Sequence, residues 1–220
     1  PIAALAITTD TTITKNDGGK HQIDDGIDYS GKNYALEVSN SGTAVNVTGD
    51  INSPDGAGVS GKDAATITVK GDVTSKNACV IAQNNAEVTI TGDVKGDVAG
   101  VVASDNSIVT VKGTIKVEKD NQNGGLAINL QNGSTLRAES IDSNVAGIQS
   151  FGGSTVIIDK DVEVNEKWSA VTVLWNNNKV LIGEDVKAKN NGNIKISVNL
   201  ASDNNEIAVG GKIQNDWGGA

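Results

Sequence analysis

Three aspartates hold equivalent places in a repeated stretch of this sequence and are the first candidates for chemistry. Asp50, Asp72 and Asp93 each follow a glycine at the end of a short run of alternating apolar residues. If the repeats stack, the carboxylates line one edge of the fold, and Ca²⁺ prefers oxygen ligands of this kind. The pairs also suit a plain turn, since glycine accepts a positive φ and aspartate bonds the local backbone. A calcium site and solvated turn residues are therefore alternatives, and no other cofactor is expected.

The residue types needed for acid–base or nucleophilic catalysis are scarce. The chain has one histidine, His21, one arginine, Arg137, and one cysteine, Cys79. A catalytic triad needs a base placed against a nucleophile, and no Ser or Cys motif accompanies His21. Cys79 lies among apolar residues, which favours a buried thiol over a reactive one. The sequence thus favours a protein without catalytic activity.

A cluster of aromatic and aliphatic residues in the last third of the chain is the best candidate for binding. Phe151 and Trp175 both follow the second apolar stretch of their repeats, so we expect their rings to contact each other on adjacent coils. Trp168 lies shortly before Trp175, while Ile157 and Leu181 take outward places that earlier repeats fill with threonine. Either the C-terminal tail covers this cluster, or it stays open as an interaction site for a protein or for sugar rings.

A repeated seven-residue phrase positions all of these side chains. Residues 67–73 read ITVKGDV and residues 88–94 read VTITGDV. An internal repeat of this kind indicates an array of stacked units, and its alternating apolar residues are typical of strands with one buried face. The copy at Leu136 fits once one turn residue is dropped. The first inward residues of successive copies are Val45, Ile67, Val88, Val109, Leu136, Val156, Val180 and Ile207.

The repeat predicts an all-β fold, a right-handed parallel β-helix (a solenoid) of about eight coils. Each repeat of 20–27 residues holds two or three short strands with no helix pattern between them. Like strands then stack about 4.8 Å apart, and parallel crossovers are almost always right-handed. We expect a single domain over 1–220, with an atypical N-terminal cap and first coil in 1–44, repeats in 45–213 and a tail in 214–220.

Composition and charge narrow the class of partner. Aromatic residues make up only 3% of the chain, so the core must consist of Val, Ile, Ala and Leu, of which the β-branched members suit sheets. The formal net charge of −9 disfavours nucleic acid, whose phosphates it repels. No apolar stretch is long enough to be a transmembrane segment. We therefore expect a protein or a polysaccharide, and not a nucleic acid, as the partner.

The first residues bear on localisation. Ala4-Leu5-Ala6 is similar to the small-residue end of a secretory signal, which would make the protein secreted or attached to the cell surface. The competing interpretation of the same residues is a first strand or a cap of the solenoid.

Three long insertions follow the phrase, at 116–126, 163–169 and 187–192. All three should leave the rod at one edge, and such loops often form the binding face of a solenoid. Their polar composition suits simple connecting loops equally well.

The coil pattern resembles repeats of bacterial surface proteins and adhesin passenger domains of the pectin-lyase-like β-helix type. The likeness rests on the VTVKGDV-like phrase and on Gly-Val-x-Ala between copies, and it covers roughly 45–213. It implies an exported interaction module without enzymatic activity, serving adhesion or structural display. Two alternatives follow from the same resemblance: a carbohydrate-binding β-helix that uses its aromatic residues, and a degenerate polysaccharide lyase. Fold alone does not choose between them.

Overall fold

The computed structural model describes residues 6–118, 125–165, 169–189, 193–198 and 204–215, and these parts of the chain form strands and turns without a helix. None of them therefore offers a helix that could cross a membrane. In chain order the strands are β1 (Ile7–Thr9), β2 (Ile13–Lys15), β3 (Lys20–Ile23), β4 (Ile27–Tyr29), β5 (Tyr34–Val38), β6 (Ala44–Val47), β7 (Ile51–Ser53), β8 (Ala57–Lys62), β9 (Thr66–Val69), β10 (Val73–Ser75), β11 (Ala78–Gln83), β12 (Glu87–Ile90), β13 (Val94–Gly96), β14 (Ala99–Ala103), β15 (Ile108–Val117), β16 (Leu126–Leu130), β17 (Thr135–Ser143), β18 (Ala146–Phe151), β19 (Thr155–Ile158), β20 (Val162–Val164), β21 (Ser169–Leu174), β22 (Lys179–Ile182), β23 (Val186–Ala188), β24 (Asn193–Val198), β25 (Glu206–Val209) and β26 (Ile213–Asn215).

All strand pairs are parallel, and the strands form three faces of a solenoid of about eight coils. Face 1 holds β3, β6, β9, β12, the first half of β15, the first half of β17, β19, β22 and β25. Face 2 holds β1, β4, β7, β10, β13, the second halves of β15 and β17, β20, β23 and β26. Face 3 holds β2, β5, β8, β11, β14, β16, β18, β21 and β24. The predicted all-β solenoid is confirmed.

The register of face 1 is the one that the repeat predicts. Val45 pairs with Ile67, Ile67 with Val88, and the column continues through every predicted first inward residue to Ile207. Val69, Ile90 and Val111 likewise lie above one another. Because parallel strands place equal residues side by side, each column of the repeat becomes a ladder of one residue type.

The interior is a continuous aliphatic core. Nearly all of its buried side chains are Val, Ile, Leu and Ala, and Tyr29 is the largest fully buried one. On face 1 buried and outward residues alternate along most strands, for example Val88 and Ile90 around the outward Thr89. The low aromatic content is therefore a consequence of the narrow tube, which branched aliphatic side chains fill.

One irregularity of the repeat has a direct structural counterpart. Between β15 and β17 the register shifts, so that Lys112 and Gly113 lie opposite the single residue Glu139. A bulge of this kind absorbs one extra residue in one of two paired strands. The turn residue that the Leu136 copy lacks is accommodated in this way.

The N-terminal residues already follow the path of the coils. Ile7 pairs with Ile27 and Ile13 pairs with Leu36, so β1 and β2 add a partial coil before the first complete one. In the next strand of face 1, Ile23 of β3 is in register with Val47 of β6. The region predicted as cap and first coil therefore contributes strands to the same sheets as the rest of the chain.

The insertions share one edge of the rod. The residues flanking them end strands of face 2 and begin strands of face 3, at β15 and β16, β20 and β21, and β23 and β24. Their predicted starts at Lys116, Glu163 and Lys187 are too early, because these residues still belong to strands of face 2.

The interior ladder generates a stability prediction. Ile90 is fully buried between Val69 and Val111, so Ile90→Ala should lower the free energy of unfolding by about 2–5 kcal/mol. Thr89→Ala, at the next and outward position, should change it by only about 0.5 kcal/mol. Urea unfolding followed by circular dichroism measures both values. Equal losses for the two variants would contradict the inward and outward assignment.

Candidate functional site

The Gly-Asp pairs form a row of hydrogen bonds between coils, along the edge where face 1 meets face 2. Oδ1 of Asp50 accepts a hydrogen bond from the N–H of Asp72 at 2.8 Å, and Oδ1 of Asp72 accepts one from Asp93 at 2.8 Å. Asp93 accepts from the N–H of Thr114 at 2.9 Å. The bonds thus reach the next coil and not the local backbone, which corrects the expected Asx turn.

The glycine of each pair is needed for space. Gly92 does not have a positive φ, so the conformational reason expected from the sequence is wrong. A Cβ atom on Gly92 would instead clash with Oδ1 of Asp72, which lies over it. Glycine and aspartate are thus coupled across coils, because one supplies the room that the other occupies.

Lysine side chains neutralise this row. Nζ of Lys95 lies 2.9 Å from Oδ2 of Asp72 and 3.6 Å from Oδ2 of Asp93. Burial raises the pKa of the Asp72 carboxyl, but hydrogen bonds from Lys95 and from the Asp93 amide outweigh it, so the pKa is lowered. The hydrogen bond to Asp72 raises the pKa of Lys95. Carboxylate and ammonium groups therefore stabilise each other's charged forms.

The row of aspartates recurs in the later coils. The sequence did not reveal it, because the Gly-Asp pair of the repeated phrase is not kept there. Asp161 accepts from the N–H of Asp185 at 2.9 Å, and Asp185 accepts from the N–H of Lys212 at 2.8 Å. Lys187 lies 2.7 Å from Asp161 and 3.5 Å from Asp185. Its hydrogen bond lowers the pKa of Asp161.

Backbone N–H groups bind one oxygen of each of the three carboxylates, and Lys95 lies beside the other oxygen of Asp72 and of Asp93. In the part of the chain that the structure describes, no three His, Cys, Asp or Glu side chains are arranged to hold a metal ion. The geometry of Asp50, Asp72 and Asp93 favours the structural interpretation over the calcium site.

The three residues considered for catalysis all have structural partners. Arg137 donates to both carboxylate oxygens of Asp159 at 3.1 Å. His21 Nε2 lies 2.7 Å from Asp17. Cys79 is fully buried, and burial raises the pKa of its thiol to about 12, so the thiolate is absent at neutral pH. Arg137 and His21 are thus each bound by a carboxylate, and the thiol of Cys79 is closed off from solvent.

The predicted aromatic contact exists. The ring centroids of Phe151 and Trp175 lie 5.6 Å apart, with an angle of 61° between the ring planes, an edge-to-face arrangement. The side chain of Trp175 is 58% exposed. The two rings do not hold the same position in their coils, however, since Phe151 pairs with Leu174. Trp175 comes one residue later, in the turn between face 3 and face 1.

Trp175 occupies a backbone position that other coils give to different residues. Its φ is +67°, in the left-handed region that a bulky side chain rarely adopts. In the six preceding coils the corresponding residue also has a positive φ, between 53° and 73°, and is always Asn, Asp or Gly: Asn40, Asp63, Asn84, Asp105, Asn132 and Gly152. This conformation costs about 1–3 kcal/mol for a residue that does not favour it. A tryptophan here is therefore held against its own preference.

Two asparagines hold the turn in this conformation. Asn178 Nδ2 donates to the carbonyl oxygens of Leu174 at 2.9 Å and of Trp175 at 3.2 Å. Asn205 Nδ2, from the next coil, donates to the same Trp175 oxygen at 2.8 Å. The turn also contains Asn176 and Asn177, one residue more than the turns of the five coils before it. The extra residue and the hydrogen bonds from the two asparagine side chains place the indole of Trp175 at the corner between face 3 and face 1.

The remaining residues of the predicted cluster divide between two faces. Ile157 and Leu181 are in register with each other on face 1, where they continue the outward column of threonines as predicted. Phe151 lies on face 3, and Trp175 lies at the corner between the faces. Trp168 lies outside the described residues, as does the C-terminal tail from residue 216. The cluster is thus an aromatic pair at a corner with an aliphatic pair on the adjoining face.

Comparison of the chain with protein-family models, with curated proteins and with solved structures finds no match. The fold and the site therefore define the class: a parallel β-solenoid that carries an exposed aromatic pair on its side.

The aspartate row predicts a pH effect. The lowered pKa of Asp72 means that its charged form stabilises the fold above the unfolded-state pKa of about 3.9. This contribution is lost as the pH falls through the still lower folded-state pKa. Asp72→Asn should therefore lose less stability than the parent between pH 5 and pH 2. The difference should stay near 1 kcal/mol because the pair with Lys95 is partly exposed and screened.

Thermal midpoints at pH 5 and pH 2 measure this effect. Asp28→Asn is the matched control, since the carboxylate of Asp28 makes no ion pair or hydrogen bond within the described chain. The control should follow the parent. An identical acid response of Asp72→Asn and the parent would contradict the proposed role of the row.

The strained tryptophan predicts a second stability effect. Trp175→Asn removes ring contacts worth about 0.5–1.5 kcal/mol but relieves about 1–3 kcal/mol of backbone strain. We therefore expect a free energy of unfolding within about 1 kcal/mol of the parent, measured by urea titration. A loss above about 3 kcal/mol would show that Trp175 serves the fold.

Proposed function

We propose that this chain is a non-enzymatic interaction module of an exported bacterial protein, working at the cell surface or in the extracellular space. The observation that carries the proposal is Trp175. A large apolar side chain is 58% exposed, in a backbone conformation that asparagine or glycine would adopt at lower cost. Strain of this kind, maintained by Asn178 and Asn205, is characteristic of residues kept for binding.

The architecture supports the same proposal. Coils stacked in register form a straight support whose sides keep fixed residue columns, as repeat proteins do for extended partners. The resemblance to surface-protein and adhesin repeats agrees with a role in adhesion or structural display.

Of the alternatives, carbohydrate binding has a specific observation in its favour, because the exposed indole of Trp175 can stack on a sugar ring. The degenerate lyase has less support, since the guanidinium of Arg137 is bound by Asp159 and would be a poor base or electrostatic catalyst. Release of unsaturated sugars, followed by ultraviolet absorbance, would nevertheless favour the lyase.

Binding of the fluorescently labelled chain to intact bacterial cells and to cultured animal cells tests the proposal. We expect saturable binding to at least one cell type and at least a tenfold loss of affinity for Trp175→Asn. The matched control is Ile108→Asn, which removes another exposed apolar side chain, 46% exposed, from face 1. It should bind as the parent does. Absence of saturable binding, or equal binding by Trp175→Asn, would overturn the proposal.

A further inference from the structure

One side of the rod differs in charge from the rest of this acidic protein. Five adjacent strands of face 3, namely β11, β14, β16, β18 and β21, contain no Asp, Glu, Lys, Arg or His. The N-terminal part of the same face carries the ion pair between Glu37 of β5 and Lys62 of β8. Further ion pairs, such as Arg137–Asp159 and Lys187–Asp161, lie on the other two sides. A net charge of −9 is thus carried by a molecule in which these five strands, called the neutral face below, contain no charged side chain.

The outward side chains of this neutral face are amides, hydroxyls and apolar groups, all partly exposed. They form two columns in register along the rod: Ile81, Val102, Asn129, Gln149 and Thr172, and beside them Gln83, Ser104, Gln131, Phe151 and Leu174. The second column leads directly to Trp175 at the corner.

Some of these amides have no side-chain partner among the described residues. Asn129 and Gln131 bond each other at 3.2 Å, whereas Gln83 and Gln149 make no side-chain hydrogen bond within the described residues. An amide offers two donors and one acceptor oxygen. Two amides without a partner among the described residues, on a surface that also holds the ring of Phe151, suit a ligand with many hydroxyl groups and exposed C–H faces.

We propose that the neutral face binds an uncharged polysaccharide, with one sugar ring stacked on Trp175 and the chain continuing over Phe151 and Gln149. This inference rests on the proposed function and adds the ligand class. The absence of charge is the discriminating feature, because an acidic polysaccharide would meet no cation on these five strands and a net negative protein around them.

The size of the face argues against a second copy of the chain as its occupant. Five strands about 4.8 Å apart, each of five to six residues at about 3.3 Å, give about 400–500 Å² per copy. Two copies would bury about 800–1,000 Å² in total, below the roughly 1,200–2,000 Å² of stable protein interfaces. A polymer bound along one face needs no such area.

Affinity electrophoresis of the full chain tests the proposal, with gels containing mixed-linkage β-glucan, galactomannan, dextran, polygalacturonate or alginate. We expect retardation by at least one neutral polysaccharide and none by the two acidic ones. Trp175→Asn and Gln149→Glu should each weaken binding at least tenfold. Ile108→Asn and Thr110→Glu, which change outward positions of face 1, should bind as the parent does.

Three results would overturn the proposal: retardation by the acidic polysaccharides only, retardation by none, or equal retardation of the parent and Gln149→Glu. If no polysaccharide retards the chain but saturable binding to cells persists, the proposed interaction module is retained and only its polysaccharide ligand is rejected. Sedimentation velocity provides the remaining arm, since dimers abolished by Gln149→Glu would assign the face to a second copy.

Discussion

The structure depends on the in-register stacking of parallel strands, in which almost every backbone hydrogen bond of one coil is made to the coil before or after it. At turns as well as in strands the amide of one coil meets a carbonyl of its neighbour, for example Val73 N–H with Asp93 O at 2.9 Å and Thr91 N–H with Val69 O at 2.9 Å. Since buried backbone groups must be paired, a coil cannot change its path without leaving a neighbour unsatisfied. Each coil therefore follows the backbone path of the coil before it, and the sequence repeats because every coil must make the same hydrogen bonds.

This constraint extends to side chains. The carboxylate of Asp72 fits because Gly92 lies beside it, and its Oδ1 atom replaces a carbonyl as acceptor for the next coil. Thr114 stands where the row would have its next aspartate, and its hydroxyl lies 2.9 Å from that of Ser140. A hydrogen bond between two hydroxyl groups therefore replaces the carboxylate bond at this step. Changes in the length of a coil are confined to places where they leave the strand pairing intact. The bulge opposite Glu139 absorbs one residue, and the long insertions occur at the single edge between face 2 and face 3.

The same reasoning explains what could be predicted from the sequence. The column from Val45 to Ile207 follows from alternation and spacing alone, because a shift of one residue would turn every apolar side chain outward. The contact between Phe151 and Trp175 was also predictable, but its geometry was not. Counting from the apolar stretch places both rings at one position, whereas the structure pairs Phe151 with Leu174 and puts Trp175 in the turn. The left-handed conformation that distinguishes this turn has a sequence signal only in hindsight: a tryptophan where other coils have Asn, Asp or Gly.

Trp175 is notable because the corresponding residues of the preceding coils are all Asn, Asp or Gly. In a chain where position after position repeats because stacking demands it, a single bulky residue in a left-handed turn is a local conflict between sequence preference and fold. Such conflicts are expected at functional sites, where local rules are broken for a gain made elsewhere. Among the described residues no gain in packing compensates, since Trp175 is more than half exposed and its ring contacts that of Phe151 edge-on. Binding at the neutral face beside it would supply the gain, since the five strands of this face carry no charged side chain and Gln149 makes no side-chain hydrogen bond within the described residues.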